Sequence, residues 1–165
     1  MTDEKIVELF IENARKVSAN AVRVKNDEEL KRALSEMVGA GEAMYCPQIT
    51  EMEKSLDFPS EQRTEDYRIA SVCVEEASGA VAETGSLVYT SFGGKPVQAG
   101  LLPPHHVAIV STRNIFKTFD DYFASFQGAP PTNITVETGP SRTADIELTL
   151  TIGVHGPERL SIIVF

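Results

Sequence analysis

The chain of 165 residues contains two cysteines and no tryptophan. Two thiols are not expected to hold an iron–sulfur cluster, most of which take four cysteine ligands, and they cannot build a disulfide framework. Histidine is equally scarce, with three residues and no H-E-x-x-H or C-x-x-C spacing, so no zinc site is expected. The patterns G-x-G-x-x-G, G-x-x-x-x-G-K-[ST] and G-x-S-x-G are missing. Their absence removes the usual support for a dinucleotide fold, a Walker-type nucleotide site and a hydrolase elbow. No apolar run approaches the roughly 20 residues of a membrane span. The start, Met1-Thr2-Asp3-Glu4-Lys5, lacks the cationic-then-apolar order of a signal peptide. Positive charge is also in deficit, 15 Lys and Arg against 24 Asp and Glu, which argues against nucleic acid or an anionic membrane as partner. With 42% hydrophobic residues the chain can bury a core, and one cytoplasmic domain spanning residues 1–165 is expected.

The charge is unevenly placed. Residues 1–66 hold 9 basic and 15 acidic side chains, while the longer stretch 67–165 holds 6 and 9. This reads as a charged, helical N-terminal part joined without a linker to a drier, turn-rich part. Helical spacing places Ile6, Phe10, Ala14 and Val17 on one face of a first helix, Asp3 to Ser18. Asn26-Asp27 offers an N-cap to a second helix carrying Leu30, Leu34, Met37 and Val38, ended by Gly39 and Gly41. Strand candidates are residues 21–24 and 43–46, then 70–74, 80–82, 87–89, 107–110, 134–136 and 160–165. Their near-continuous apolar runs predict an α/β fold with a mostly parallel sheet flanked by helices. Further helices are expected at Ile115 to Phe126, with Phe116, Phe119, Phe123 and Phe126 facing the core, and at Thr143 to Leu150.

Four segments can carry chemistry. Glu83-Thr84-Gly85-Ser86 is a turn whose hydroxyls and amides can cradle an anion or satisfy their own backbone. Gly139-Pro140-Ser141-Arg142-Thr143-Ala144-Asp145-Ile146-Glu147 would open a helix, with Ser141 or Thr143 as cap and Arg142 as a clamp for carboxylate or phosphate. Asp145 and Glu147 would then complement the helix dipole. His155 stands in Gly153-Val154-His155-Gly156-Pro157, where it can approach a ligand or satisfy a turn. His105 and His106 follow two prolines at the start of a strand and point to opposite faces, a poor joint metal site. Cys46 and Cys73 stand in apolar strand-like contexts and read as buried, inert thiols.

Taken in order, Glu83 to Val88, Leu101-Leu102-Pro103-Pro104-His105-His106-Val107, Gly139 to Glu147 and Gly153 to Pro157 closely resemble the LutC/YkgG family of LUD-domain lactate utilisation proteins. The likeness is good over about residues 70–165 and loose before them. It implies a fold like that of NagB, RpiA and the CoA transferases. It also implies a role as a subunit or accessory protein in oxidising L-lactate to pyruvate, with the iron–sulfur clusters on partner proteins encoded in the same operon and no cofactor in this chain. The family-like positions are Thr84, Gly85, Ser86, Pro104, His106, Gly139, Ser141, Arg142, Thr143, Asp145, Glu147, His155 and Gly156. Of these, His155, His106 and Asp145 are the expected proton-transfer residues, and the turn and loop residues are the expected holders of a small carboxylate or phosphorylated ligand. One departure stands out. The family commonly carries an Arg shortly before Ser-Leu-Leu-Pro-Pro, whereas here Gly100 replaces the Ser and Lys95 is the nearby cation. The alternative to a lactate role is a stand-alone enzyme or binding module for a phosphorylated sugar or a CoA thioester.

Overall fold

A computed structural model describes residues 3–145, 149–152 and 156–165, with the backbone alone described at 143–145 and 149–152. Its centre is a five-stranded, fully parallel sheet in the order β1 (Asn20–Arg23), β11 (Arg159–Val164), β6 (His105–Val110), β3 (Val72–Glu76), β2 (Met44–Tyr45). The middle strands are buried over almost their whole length because both sheet faces are covered. The strand–helix–strand order at the N-terminus does give parallel strands, but β1 and β2 take opposite edges and the later strands fill the space between them.

Period-two alternation divides the central side chains between two cores. On one face Val72, Val74, Val107, Ile109 and Ile163 pack with Leu30 and Leu34 of α2 (Asp27–Met37) and Leu56, which closes α3 (Glu51–Ser55). On the other face Ala108, Val110, Leu160, Ile162 and Val164 meet α1 (Asp3–Lys16), through Val7, Phe10 and Ala14, together with Leu87 and Tyr89 of a second sheet. That sheet runs β7 (Ile115–Phe116), β4 (Gly79–Val81), β5 (Ser86–Thr90), β8 (Ile134–Glu137). Asn26 caps α2 as expected, its side chain accepting the Glu29 N–H at 2.9 Å.

Two predicted helices differ. Over 115–126 the chain first adds β7 and then forms only a short α4 (Phe119–Ala124), started by a reciprocal cap between Thr118 and Asp121. That start sets the phase, so Tyr122 is buried and Phe123 is 47% exposed, while Phe116, Phe119 and Phe126 ring Tyr122. The stretch 143–150 is not helical where it is described. Arg142–Asp145 (β9) pairs antiparallel with Thr149–Ile152 (β10). The alternating, β-branched run Thr149-Leu150-Thr151-Ile152 suits a strand better than a helix. The polar stretch after residue 50 contains α3.

Candidate functional site

The site is set by the same alternation. In β3, Val72 and Val74 take one face, so Cys73 and Glu75 take the other; in β6, His106 shares that face with Ala108. The register places Cys73 directly opposite His106. Both therefore point into the space between the sheets, where Tyr89 of β5 and Glu137 of β8 arrive from the far side. Lys95, from the loop after β5, and Glu53 of α3 complete the group. All seven side chains are buried.

Charges alternate through this cluster. Glu53 Oε1 lies 2.7 Å from Lys95 Nζ, and Lys95 Nζ lies 3.2 Å from Glu75 Oε2. Glu75 Oε1 lies 3.2 Å from His106 Nε2, and His106 Nδ1 lies 2.8 Å from Glu137 Oε2. Tyr89 Oη stands 3.4 Å from His106 Nε2, and Lys95 Nζ also donates to the Glu76 carbonyl. Glu53 is satisfied on both oxygens, accepting backbone N–H groups from Glu76 at 2.9 Å, Ile49 at 2.9 Å and Thr50 at 3.1 Å. Glu75 is not: neither of its oxygens receives a hydrogen bond despite the nearby cations, and Glu137 Oε1 also lacks a partner.

Burial alone would discharge His106, but the Glu137 and Glu75 carboxylates outweigh it and raise its pKa to about 10. So placed, His106 holds a proton at neutral pH. Burial likewise works against a charged Glu53, yet the Lys95 ammonium and the Glu76 and Ile49 backbone donors win and hold its carboxyl below the usual range. His105, on the opposite face, bonds Ser161 Oγ at 2.9 Å; burial, then the charges of Arg159 and His106, push its pKa down to about 4. Burial raises the thiol of Cys46 to about 11 and that of Cys73 well above its ordinary value, which agrees with unreactive cysteines. Gly100 lies flat against the His106 ring, and any Cβ there would run into Cε1, Nε2 and Nδ1. The glycine that departs from the resemblance thus makes room for the imidazole.

The motif residues take other positions. Thr84 Oγ1 and Ser86 Oγ are 2.7 Å apart, and Ser86 Oγ is 2.7 Å from Thr138 Oγ1, so these hydroxyls bond one another. Gly85 and Gly139 both have positive φ, 68° and 72°, and both press on the end of α1, at Ala14 and at the Val17 carbonyl. Arg142 is exposed and donates to the Val17 carbonyl at 2.9 Å and to Ser18 Oγ. Thr84–Ser86 and Gly139–Arg142 therefore meet, at the C-terminal end of α1. A helix cap by Ser141 or Thr143 and a dipole role for Asp145 do not arise, because Thr143 and Asp145 belong to β9. Ser141 instead donates its N–H to the Pro157 carbonyl at 2.8 Å, and Gly156 abuts Ser141 and the Leu101 carbonyl. Glu147 and His155 lie outside the described residues.

Sequence reasoning passed over Glu53, Glu75, Tyr89 and Glu137. Faint signals existed: acids at the ends of Val72-Cys73-Val74-Glu75 and Ile134-Thr135-Val136-Glu137, and Thr50 three residues before Glu53. A cavity of about 270 Å³ opens beside Lys95 past the C-terminal end of β3, with Thr50, Ser78, Thr90 and Asn114 in its wall.

The family model of the LUD domain matches residues 48–165. An uncharacterized protein of Neisseria meningitidis serogroup B is 33% identical over 104 residues, covering 61% of this chain and 45% of that protein. Lactate utilization protein C of Shouchella clausii is 31% identical over 110 residues, 64% of this chain and 48% of its own length. The protein of the same name from an Exiguobacterium strain aligns with 97% of this chain and 77% of its own at 26% identity. The chain thus spans about half the length of the first two relatives. A crystal structure of a DUF162 family protein from Deinococcus radiodurans shares the fold, with a TM-score of 0.69 at 21% identity over 99% of this chain and 98% of that one. With the match running from α3 to the last strand, this chain belongs to the LUD domain family.

Proposed function

We propose that this chain is a component of a lactate-utilisation system, serving the oxidation of L-lactate to pyruvate while the electrons pass through iron–sulfur partner proteins. The observation that carries this reading is that relatives named Lactate utilization protein C are 31–35% identical to this chain over 101–110 residues. The cysteines support the division of labour. That oxidation releases two electrons and two protons; Cys46 and Cys73 are too few to carry a cluster that accepts the electrons.

The small anionic ligand of this reading belongs in the cavity beside Lys95. It lies beyond the carboxyl end of a central parallel strand, the usual place for ligands in such sheets. Ser78, Thr90 and Asn114 stand in its wall, the Ser78 and Thr90 hydroxyls 2.9 Å apart and bonded to each other.

Two measurements test the proposal. Co-expressed anaerobically with cluster-bearing proteins encoded beside it, the chain should co-purify with them, and lactate-dependent dye reduction should require the complex. Dye reduction by the isolated chain, turnover of a sugar phosphate or thioester by it, or no association would overturn the reading. Calorimetry with L-lactate and pyruvate tests the cavity: Thr90→Val and Asn114→Ala should weaken binding while Arg142→Ala should not, and the opposite pattern would move the ligand to the end of α1.

A further inference from the structure

We propose that Cys73, Glu75 and His106 form a binding site for a divalent metal ion of the zinc type, an inference that stands on geometry and does not depend on the lactate reading. One ligand atom from each residue lies within 4.8 Å of the other two, and all three residues are buried. The fold explains the grouping: Cys73 faces His106 across β3 and β6, and Glu75 follows on the same face two residues on. Tetrahedral zinc, with bonds of about 2.0–2.3 Å, sets its ligands about 3.3–3.8 Å apart, so a contraction of about 1 Å on the longest edge is enough. His106 Nε2 and Glu75 Oε1 are already at 3.2 Å.

Two further observations point to a ligand. Glu75 is fully buried; its oxygens face Lys95 Nζ and His106 Nε2 at 3.2 Å, yet neither contact closes as a hydrogen bond, which leaves both oxygens able to ligate a metal ion. His106 Nδ1 is engaged by Glu137, 2.8 Å away, which leaves Nε2 turned to Glu75. A carboxylate on the far nitrogen is how metal-binding imidazoles are commonly held. Thiolate, imidazole and carboxylate together suit zinc and disfavour magnesium or calcium. Tyr89 Oη, 3.4 Å from Nε2, stands beside the remaining coordination position. No local spacing motif announces such a site, because its ligands come from two strands joined through the fold.

The test uses the full chain, purified under reducing conditions from cells grown with added zinc. Zinc should be found near one equivalent by elemental mass spectrometry, and a strong chelator should remove it and lower the thermal midpoint. Reloading with Co²⁺ should give the intense near-ultraviolet band of thiolate-to-cobalt charge transfer. The chain has two cysteines, so the band should persist in Cys46→Ser and vanish in Cys73→Ser. Should Cys73→Ser fail to fold, Cys46→Ser still decides, since a band surviving there arises from Cys73. No zinc above the buffer level together with no cobalt band, or a band lost in Cys46→Ser, would overturn the proposal.

Discussion

His106 Nδ1 lies 2.8 Å from Glu137 Oε2, and this bond ties the parallel sheet to the second sheet through two buried side chains. Glu137→Ala removes the partner and leaves the imidazolium buried. Breaking a buried pair in this way costs about 3–5 kcal/mol. Urea unfolding of the variant should show a lower midpoint with an unchanged slope. A midpoint equal to the parent's would mean that the two sheets are held by apolar packing alone.

Lys95 is paired with two buried carboxylates at once. Lys95→Met should therefore cost about 3–5 kcal/mol. The double variant Glu53→Gln/Lys95→Met should recover part of this, with a coupling of about 1 kcal/mol or more in a double-mutant cycle. Strict additivity would show that Glu53 and Lys95 do not act as a pair.

Stability should also fall in acid because of Glu53. Its carboxyl is held below the ordinary range in the folded chain, so as pH drops the unfolded chain takes up the proton first. The contribution is complete above about pH 4.5 and is lost as pH falls through the lower folded value. Unfolding free energies measured between neutral and acid pH should fall less steeply in Glu53→Gln than in the parent. Parallel curves would refute the assignment.

Two glycines separate steric from conformational cost. At Gly94, with φ of 78° and open space around it, Ala should cost about 1–2 kcal/mol through the left-handed backbone alone. At Gly100 the added methyl meets the ring of a histidine pinned by two carboxylates. Gly100→Ala should cost more than Gly94→Ala and shift the His106 ring resonances in NMR spectra. If the ring signals do not move, the close packing described for Gly100 is wrong.

The phase of α4 has its own test. Tyr122 is 3% exposed and Phe123 47%. Truncation of a buried aromatic costs about 3–5 kcal/mol, so Tyr122→Ala should be strongly destabilising and Phe123→Ala, half exposed against its aromatic neighbours, clearly less so. Thermal midpoints in the reverse order would restore the phenylalanine-faced helix that spacing alone suggests.

The residue order by itself determined the α/β class, the parallel central sheet, α1, the capped start of α2 and the opposite orientations of His105 and His106. Each depends on local periodicity or a local cap, and those survive in any fold that buries the same apolar positions. It did not determine β9 and β10, since Arg142–Asp145 and Thr149–Ile152 each gain their strand form from the other. The ionic cluster lay further beyond reach. Glu53, Glu75, Lys95, His106 and Glu137 are drawn from a short helix, three strands and a loop; the register of β3 on β6 and the closure of the second sheet alone bring them together. Once water is excluded from that space, each charge needs a partner, and only the tertiary structure could supply one.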